Sequence, residues 1–211
     1  MQPTNPYIWS KKKALPKKLC KSLIKKFKKD EDSYQGLIGE RTIDTSMKSS
    51  IDLYISDKDR WSKEDNQLFR SLTKSLEEYR DFLTTTLDLT FFKKRKNTKT
   101  EIHTNNGGSN DVFDSGYQIQ ETQIDHYYDW HHDGRIDIND GKASTRTITY
   151  LWYLNDIDDG GETEFYDGTL IKPEAGKLIL FPATWSFMHR GRPPKSNVKY
   201  ICTGWVYDGT Q

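Results

Sequence analysis

The sequence predicts a mainly β, α+β chain in which two N-terminal helices support an antiparallel sandwich or barrel. Three observations carry this. Apolar residues at helical spacing are confined to the first 85 positions. From about residue 87 the chain breaks into short runs rich in β-branched and aromatic residues, punctuated by Gly, Asn, Asp and Pro. Those runs follow one another without helical stripes between them, which argues against βαβ units and a parallel sheet. With 211 residues, 34% hydrophobic and 13% aromatic, there is material for one well-buried core and too little for two. A single domain over 1–211 is therefore expected, helical over about 1–85 and barrel-forming over about 87–211.

Taken in order, MQPTNPYIWSKKK lacks the apolar centre of a secretory signal, and no run approaches the ~18 apolar residues of a bilayer span. A soluble, cytoplasmic protein with no membrane partner is expected. Pro16 suits a helix's first turn, and Leu19, Cys20, Leu23, Ile24 and Phe27 mark one face of that helix. The lysines between Lys17 and Lys29 read as its solvated face. Residues 31 to 61 read as a long polar loop. Ser62 with Glu64 and Asp65 resembles a helix cap, and Leu68, Phe69, Leu72, Leu76, Tyr79 and Leu83 continue a stripe that ends near Thr84. The strand candidates are TFFKK, GYQIQETQI, STRTITYLWYLND, TEFYD, GTLIKP, KLILFP and VKYICTGWVYD, with a hairpin-like break at Pro173–Gly176. A second polar loop spans 93 to 116, and KKRKNTK within it reads as exposed chain. Long loops of this kind are functional covers or mobile segments.

Charge nearly cancels, with 32 Lys and Arg against 31 Asp and Glu, so no global field points to nucleic acid. It is segregated, however. Residues 1 to 30 carry ten lysines and one acid, whereas residues 121 to 170 carry twelve acids and three basic residues, an acidic centre that suits a metal cation. Cys20 and Cys202 both sit in apolar patterns and read as buried thiols of a reduced compartment.

The chemically informative segment is Tyr128-Asp129-Trp130-His131-His132-Asp133-Gly134. In an extended strand, His131 and Asp133 point to one side about 6 to 7 Å apart and His132 to the other. His-x-Asp alone is a weak signal. A second histidine, His189, follows the strand KLILFP, and two histidines plus one carboxylate from distant strands give the facial arrangement of non-haem Fe(II) oxygenases, with metal positions left open. Zinc would favour a closed or singly open tetrahedral site. His103, His126 and His132 read as surface or hydrogen-bonding residues. Arg135 and Arg146 read as ion-pair partners of Asp129, Asp137 or Asp140, with orientation of an acidic substrate near the cavity the alternative. Trp130, Trp152 and Trp185 are candidates for a pocket wall or for plain core.

Here the chain resembles the prolyl 4-hydroxylase-like family of 2-oxoglutarate- and Fe(II)-dependent dioxygenases. The resemblance rests on Tyr128-x-x-His131-x-Asp133, Tyr153-Leu154-Asn155, Gly160-Gly161-Glu162-Thr163-Glu164-Phe165 and His189-x-Gly191-x-Pro193, followed by Lys199 and Trp205, and covers residues 117 to 207. It implies a double-stranded β-helix of jelly-roll, cupin-like type with supporting helices. It also implies iron held by His131, Asp133 and His189 as the catalytic set, and Lys199 paired with the distal carboxylate of 2-oxoglutarate. Lys199, Ile201, Thr203 and Trp205 share one strand face, so an interior lysine there needs an anionic partner. On a solvent face it would be an ordinary edge lysine.

Family members usually carry a tyrosine nine residues before the first iron ligand, where this chain has Thr122. Thr122, Tyr153 and Thr203 are the further candidates to touch the cosubstrate, with Tyr153 as a core aromatic the alternative. Thr163 and the glycines before it read as a tight turn. The implied cofactors are Fe(II), 2-oxoglutarate and O₂, with ascorbate as an optional addition. The implied reaction couples oxidative decarboxylation of 2-oxoglutarate to hydroxylation of an unactivated C–H bond, in a proline-containing peptide or protein. The alternatives are a same-barrel oxygenase acting on a free amino acid or demethylating nucleic acid, a non-catalytic metal- or peptide-binding β module, and a zinc hydrolase. Nucleic acid is not the expected partner, because such demethylases clamp the cosubstrate with arginine.

Overall fold

The computed structural model describes residues 5–39, 42–88, 111–139 and 142–209. The first helix, α1, runs Lys17–Phe27 with Cys20, Leu23 and Phe27 buried, while Lys18, Lys21 and Lys25 are exposed. The second, α2, runs Ser62–Thr85 and buries Leu68, Leu72, Leu76, Tyr79 and Leu83. The Ser62 cap is a correction. Ser62 is the first helical residue, a 3-10 turn at Asp59–Trp61 precedes it, and no side chain makes a cap bond. Glu64 and Asp65 still place negative charge on the helix's positive end. Glu64 also pairs with Lys26 of α1 at 2.7 Å, which ties the helices together.

Thirteen strands follow from the described residues, namely β1 Trp9–Lys11, β2 Tyr34–Gln35, β3 Ile51–Tyr54, β4 Asp111–Asp114, β5 Gln118–Thr122, β6 Tyr128–His131, β7 Ile136–Asn139, β8 Lys142–Tyr153, β9 Thr163–Phe165, β10 Leu170–Ile171, β11 Leu178–Pro182, β12 His189–Gly191 and β13 Lys199–Gly209. Among the described residues they form two antiparallel sheets. The larger runs β1-β11-β8-β13-β5-β3-β2, with β4 added to β13 and β7 to β8. The smaller runs β10-β9-β12-β6. Residues 31 to 61 are thus more than a loop, since β3 extends the large sheet through β5. The break at Pro173–Gly176 is no hairpin, because β10 pairs with β9 in one sheet and β11 with β8 and β1 in the other. TFFKK and KKRKNTK lie outside the described residues.

Strand alternation sorts the core into two layers. Tyr150 and Trp152 of β8, Leu178 and Leu180 of β11, and Tyr200 and Cys202 of β13 point out to the helices and pack with Cys20, Leu23, Leu68 and Leu72. Each such apolar side chain contributes about 1.5–3 kcal/mol on full burial. Leu151, Tyr153, Ile179, Phe181 and Ile201 point the other way, toward Phe165 and Ile171 of the small sheet. This inner layer fills one end of the space between the sheets and leaves the other end to polar residues. Cys20 and Cys202 are both buried free thiols, and burial pushes Cys20 up to about 11. No helix among the described residues is long and apolar enough to cross a membrane.

Candidate metal and cosubstrate site

The open end of the interior is a cavity of about 70 Å³, room for a small molecule rather than a single water. Its walls include His131, Asp133 and His189. His131 closes β6 and His189 opens β12, and the two strands pair so that these residues stand directly opposite each other, with ring centroids 4.3 Å apart. Asp133 lies beyond the end of β6, so simple strand alternation does not aim it. A hydrogen bond from the Thr149 hydroxyl of β8 to its Oδ2 (2.7 Å) holds it in place. The Asp133 carboxylate stands 3.9 Å from His131 Nε2 and 3.6 Å from His189 Nε2. One ligand atom from each residue lies within 4.8 Å of the others.

Both imidazoles are oriented by backbone. His131 Nδ1 meets the Asp129 carbonyl at 2.7 Å and His189 Nδ1 the Phe187 carbonyl at 3.0 Å. A carbonyl only accepts, so each Nδ1 carries the proton and each Nε2 offers a lone pair to the shared point. Burial, followed by the proximity of His189, pushes the His131 imidazole well below its ordinary value, so it stands neutral. For Asp133, burial acts upward, but the two imidazoles and the Thr149 bond outweigh it and the carboxyl is lowered. The Tyr128 ring lies flat on His131, 3.6 Å between centroids and 11° from parallel. Two imidazole nitrogens and one carboxylate suit a divalent transition metal. Ligands about 2.1 Å from one ion stand roughly 3–4 Å apart, as the two His–Asp separations do.

Lys199 opens β13 on the wall of the same cavity and is 5% exposed. No carboxylate among the described residues lies within ion-pair distance of its Nζ, and its ring contact is Tyr153 at 5.8 Å. Burial pushes it down to about 8, with Glu162 opposing more weakly. A buried ammonium of this kind is stable only beside an anion. The triad at one place and the unpaired lysine at another therefore fit a metal and an anionic chelator such as 2-oxoglutarate.

The other candidates separate. Thr122 pairs directly with Lys199 across β5 and β13 and lines the cavity. Thr203 also lines it, but its hydroxyl donates to the Tyr150 carbonyl at 2.8 Å. Tyr153 sits beside the cavity, with Lys199 Nζ 5.8 Å over its ring. Its hydroxyl meets Thr163 Oγ1 at 2.6 Å and the Ile171 carbonyl at 3.3 Å, within the inner apolar layer. Thr163 is a strand residue bordering the cavity, and the tight turn falls on Gly160 and Gly161, at φ +70° and +73°. Arg146 lies 3.7 Å over the Trp205 ring and donates to the Tyr207 hydroxyl at 2.7 Å. Arg135 donates to the Gly39 carbonyl at 3.3 Å. Trp152 is in the helix-facing core and Trp185 is 76% exposed, so neither is a wall residue. Trp205 is one. His132 is exposed, as is His126, which meets Ser49 Oγ at 3.0 Å. His103 lies outside the described residues.

Sequence reading missed four wall residues, Thr149, Gln120, Leu151 and Arg192. It also missed a buried pair outside the cavity. Lys48 and Asp52 meet at 2.6 Å, nearly free of solvent, with Lys48 Nζ 5.3 Å over the Tyr128 ring. Backbone bonds from Asp129 to the Met47 carbonyl and from Ser49 to the Tyr127 carbonyl fasten that segment to the His131 strand.

The described strands thus form a jelly-roll barrel with two histidines and an aspartate round one point and a buried lysine on the same cavity wall. Residues 117–207 match the family model of the 2OG-Fe(II) oxygenase superfamily, so the barrel segment that holds the site carries this superfamily's pattern. Among curated proteins, a PKHD-type hydroxylase of Synechococcus sp. (strain CC9902) is 30% identical over 93 residues, 42% of this chain and 39% of that protein. Prolyl 4-hydroxylase 13 of Arabidopsis thaliana is 29% identical over 124 residues, 47% of this chain and 45% of the relative. The chain thus matches less than half the length of these relatives. Among solved structures, the viral collagen prolyl hydroxylase of Paramecium Bursaria Chlorella virus-1 in its 2OG complex superposes with a TM-score of 0.58 at 22% identity, over 95% of this chain and 96% of that one. A prolyl hydroxylase of Trichoplax adhaerens, in complex with a hypoxia inducible factor peptide fragment, gives 0.67 at 14% identity over 97% and 84%. At these identities the structures show the fold, the double-stranded β-helix.

Proposed function

We propose that the chain is a 2-oxoglutarate- and Fe(II)-dependent dioxygenase that hydroxylates a prolyl residue in a peptide or protein, and that it works as one cytoplasmic domain over residues 1–211. The observation that carries this reading is the shared cavity, where the His131–Asp133–His189 triad stands beside a buried lysine without a protein anion. The prolyl substrate is supported by the relatives and structural neighbours named as prolyl hydroxylases. The cytoplasmic setting is supported by two buried, unbridged thiols.

When bound, Fe(II) and 2-oxoglutarate supply O₂-dependent oxidation of a C–H bond, with release of succinate and CO₂. The chain's own residues position and seal. His131, Asp133 and His189 would hold the metal. The Asp129 and Phe187 carbonyls and the Thr149 hydroxyl stop those ligands from rotating. Lys199 would hold a carboxylate of the dicarboxylate. Leu151 and Ile201 present apolar wall and keep water sparse, which strengthens the Lys199 contact. No side chain has to act as a general acid or base. The roles are tested by following succinate formation with the Fe(II)-loaded protein across proline-containing peptides, free proline and other amino acids. We expect turnover with peptides and its loss in His131→Ala. Turnover of another compound class, with none on any proline-containing peptide, overturns the substrate assignment.

A further inference from the structure

We propose that Gln120 is a second anchoring residue for the dicarboxylate, its side-chain amide donating a hydrogen bond to the carboxylate that Lys199 holds. This rests on the 2-oxoglutarate reading above and goes beyond it by adding a neutral donor to the anchor.

Gln120 lies on β5, where alternation sends Ile119 into the helix-facing core and Gln120 and Thr122 onto the cavity wall. It is 8% exposed and lines the cavity, and no side-chain hydrogen bond holds its amide among the described residues, so the amide is free to serve a molecule in the cavity. Its protein neighbours explain why it is free. On one side the residue directly opposite is Asp52 of β3, whose carboxylate already takes bonds from Lys48 Nζ at 2.6 Å, Ser50 Oγ at 2.8 Å and Gln118 Nε2 at 2.6 Å. On the other side it faces Ile201 of β13, which offers no polar atom. The open direction is the cavity.

The register fixes what it meets there. Lys199 pairs with Thr122 in one cross-strand row, and Gln120 with Ile201 in the next, about 6.6 Å along the strands. On the neighbouring β8–β13 pairing, Thr149, the residue that holds Asp133, stands opposite Trp205 at the far end of this face. Gln120 therefore sits between the lysine and the metal ligands, one row from the ammonium. A carboxylate accepts about four hydrogen bonds, and the amide NH₂ adds a donor to those of Lys199 and Thr122. The neutral amide also suits the anchor, because a carboxylate at this position would itself pair with Lys199 and close it.

The test is calorimetric titration of Mn(II)-loaded protein with 2-oxoglutarate and with 2-oxobutanoate, which keeps the 2-oxo acid but lacks the distal carboxylate. Removing one hydrogen bond to a charged group lowers affinity by about tenfold or more. Gln120→Leu should weaken 2-oxoglutarate by that factor and leave 2-oxobutanoate unchanged. Gln120→Glu should weaken 2-oxoglutarate by about a hundredfold, and it decides the matter if the leucine variant fails to fold by circular dichroism. Unchanged 2-oxoglutarate binding in both variants, or equal weakening of the two acids, overturns the assignment. If the unaltered protein binds 2-oxobutanoate and 2-oxoglutarate alike, or neither, the fault lies in the 2-oxoglutarate reading itself, and the Gln120 anchor falls with it.

Discussion

Lys199→Met should stabilise the ligand-free protein while disabling its site. Burial lowers the Lys199 ammonium from 10.5 to about 8 in the ligand-free state. That fall corresponds to about 3 kcal/mol of penalty for keeping the ammonium charged in the folded chain. The sign follows from proton counting. Between pH 8 and 10.5 the unfolded chain keeps the proton that the folded chain releases, so stability rises with pH across that window, and below pH 8 the full penalty applies. Methionine is of similar length, carries no charge and packs against Ile201, so at pH 7 the variant should be more stable by about 2–3 kcal/mol. Above pH 10.5 the advantage should disappear. Urea denaturation of metal-free, ligand-free protein at pH 7 and across this pH window measures it, compared between variants at each pH to cancel titration elsewhere. The same substitution removes the cation from a buried charge pair, a loss of about 3–5 kcal/mol, or more than a hundredfold in 2-oxoglutarate affinity. A variant that is less stable at pH 7 and still binds 2-oxoglutarate normally would show that the ammonium already has a partner in the folded chain.

Two further substitutions separate site residues from core residues. Thr149→Val deletes the hydroxyl that donates to Asp133 Oδ2, and should lower affinity for Fe(II) or Co(II) by about 10- to 100-fold with the fold intact, as measured by competition with a chelating dye. Tyr153→Phe removes a hydroxyl whose partners are Thr163 and the Ile171 carbonyl, so it should cost about 1–3 kcal/mol in urea unfolding and leave 2-oxoglutarate affinity unchanged. A selective loss of cosubstrate binding in Tyr153→Phe would make that hydroxyl a cosubstrate contact.

The two histidines and the aspartate were legible because their residue types are chemically restrictive, and His131 and His189 do meet across adjacent strands. Lys199 was legible through its place in the family motif, since the strand face alone left it open as an ordinary edge lysine. For Tyr153 the sequence left two readings open, a cosubstrate contact or a core aromatic. Between the sheets, depth decides whether an inward side chain meets core or cavity, and depth depends on pairing register across strands far apart in sequence. Polarity misled in the opposite direction over 31 to 61. Asp52 sits in the middle of β3, and Lys48 just before it, so the segment read as solvated loop. In the folded chain the two charges neutralise each other in a buried, hydrogen-bonded network that fastens this segment to the His131 strand. Gln120 escaped notice for a related reason. An amide that lines a binding cavity and one that faces water are identical in sequence. They become distinguishable only when the folded chain places Gln120 on the cavity wall, beside an Asp52 already bonded by three other donors and an Ile201 that offers no polar atom.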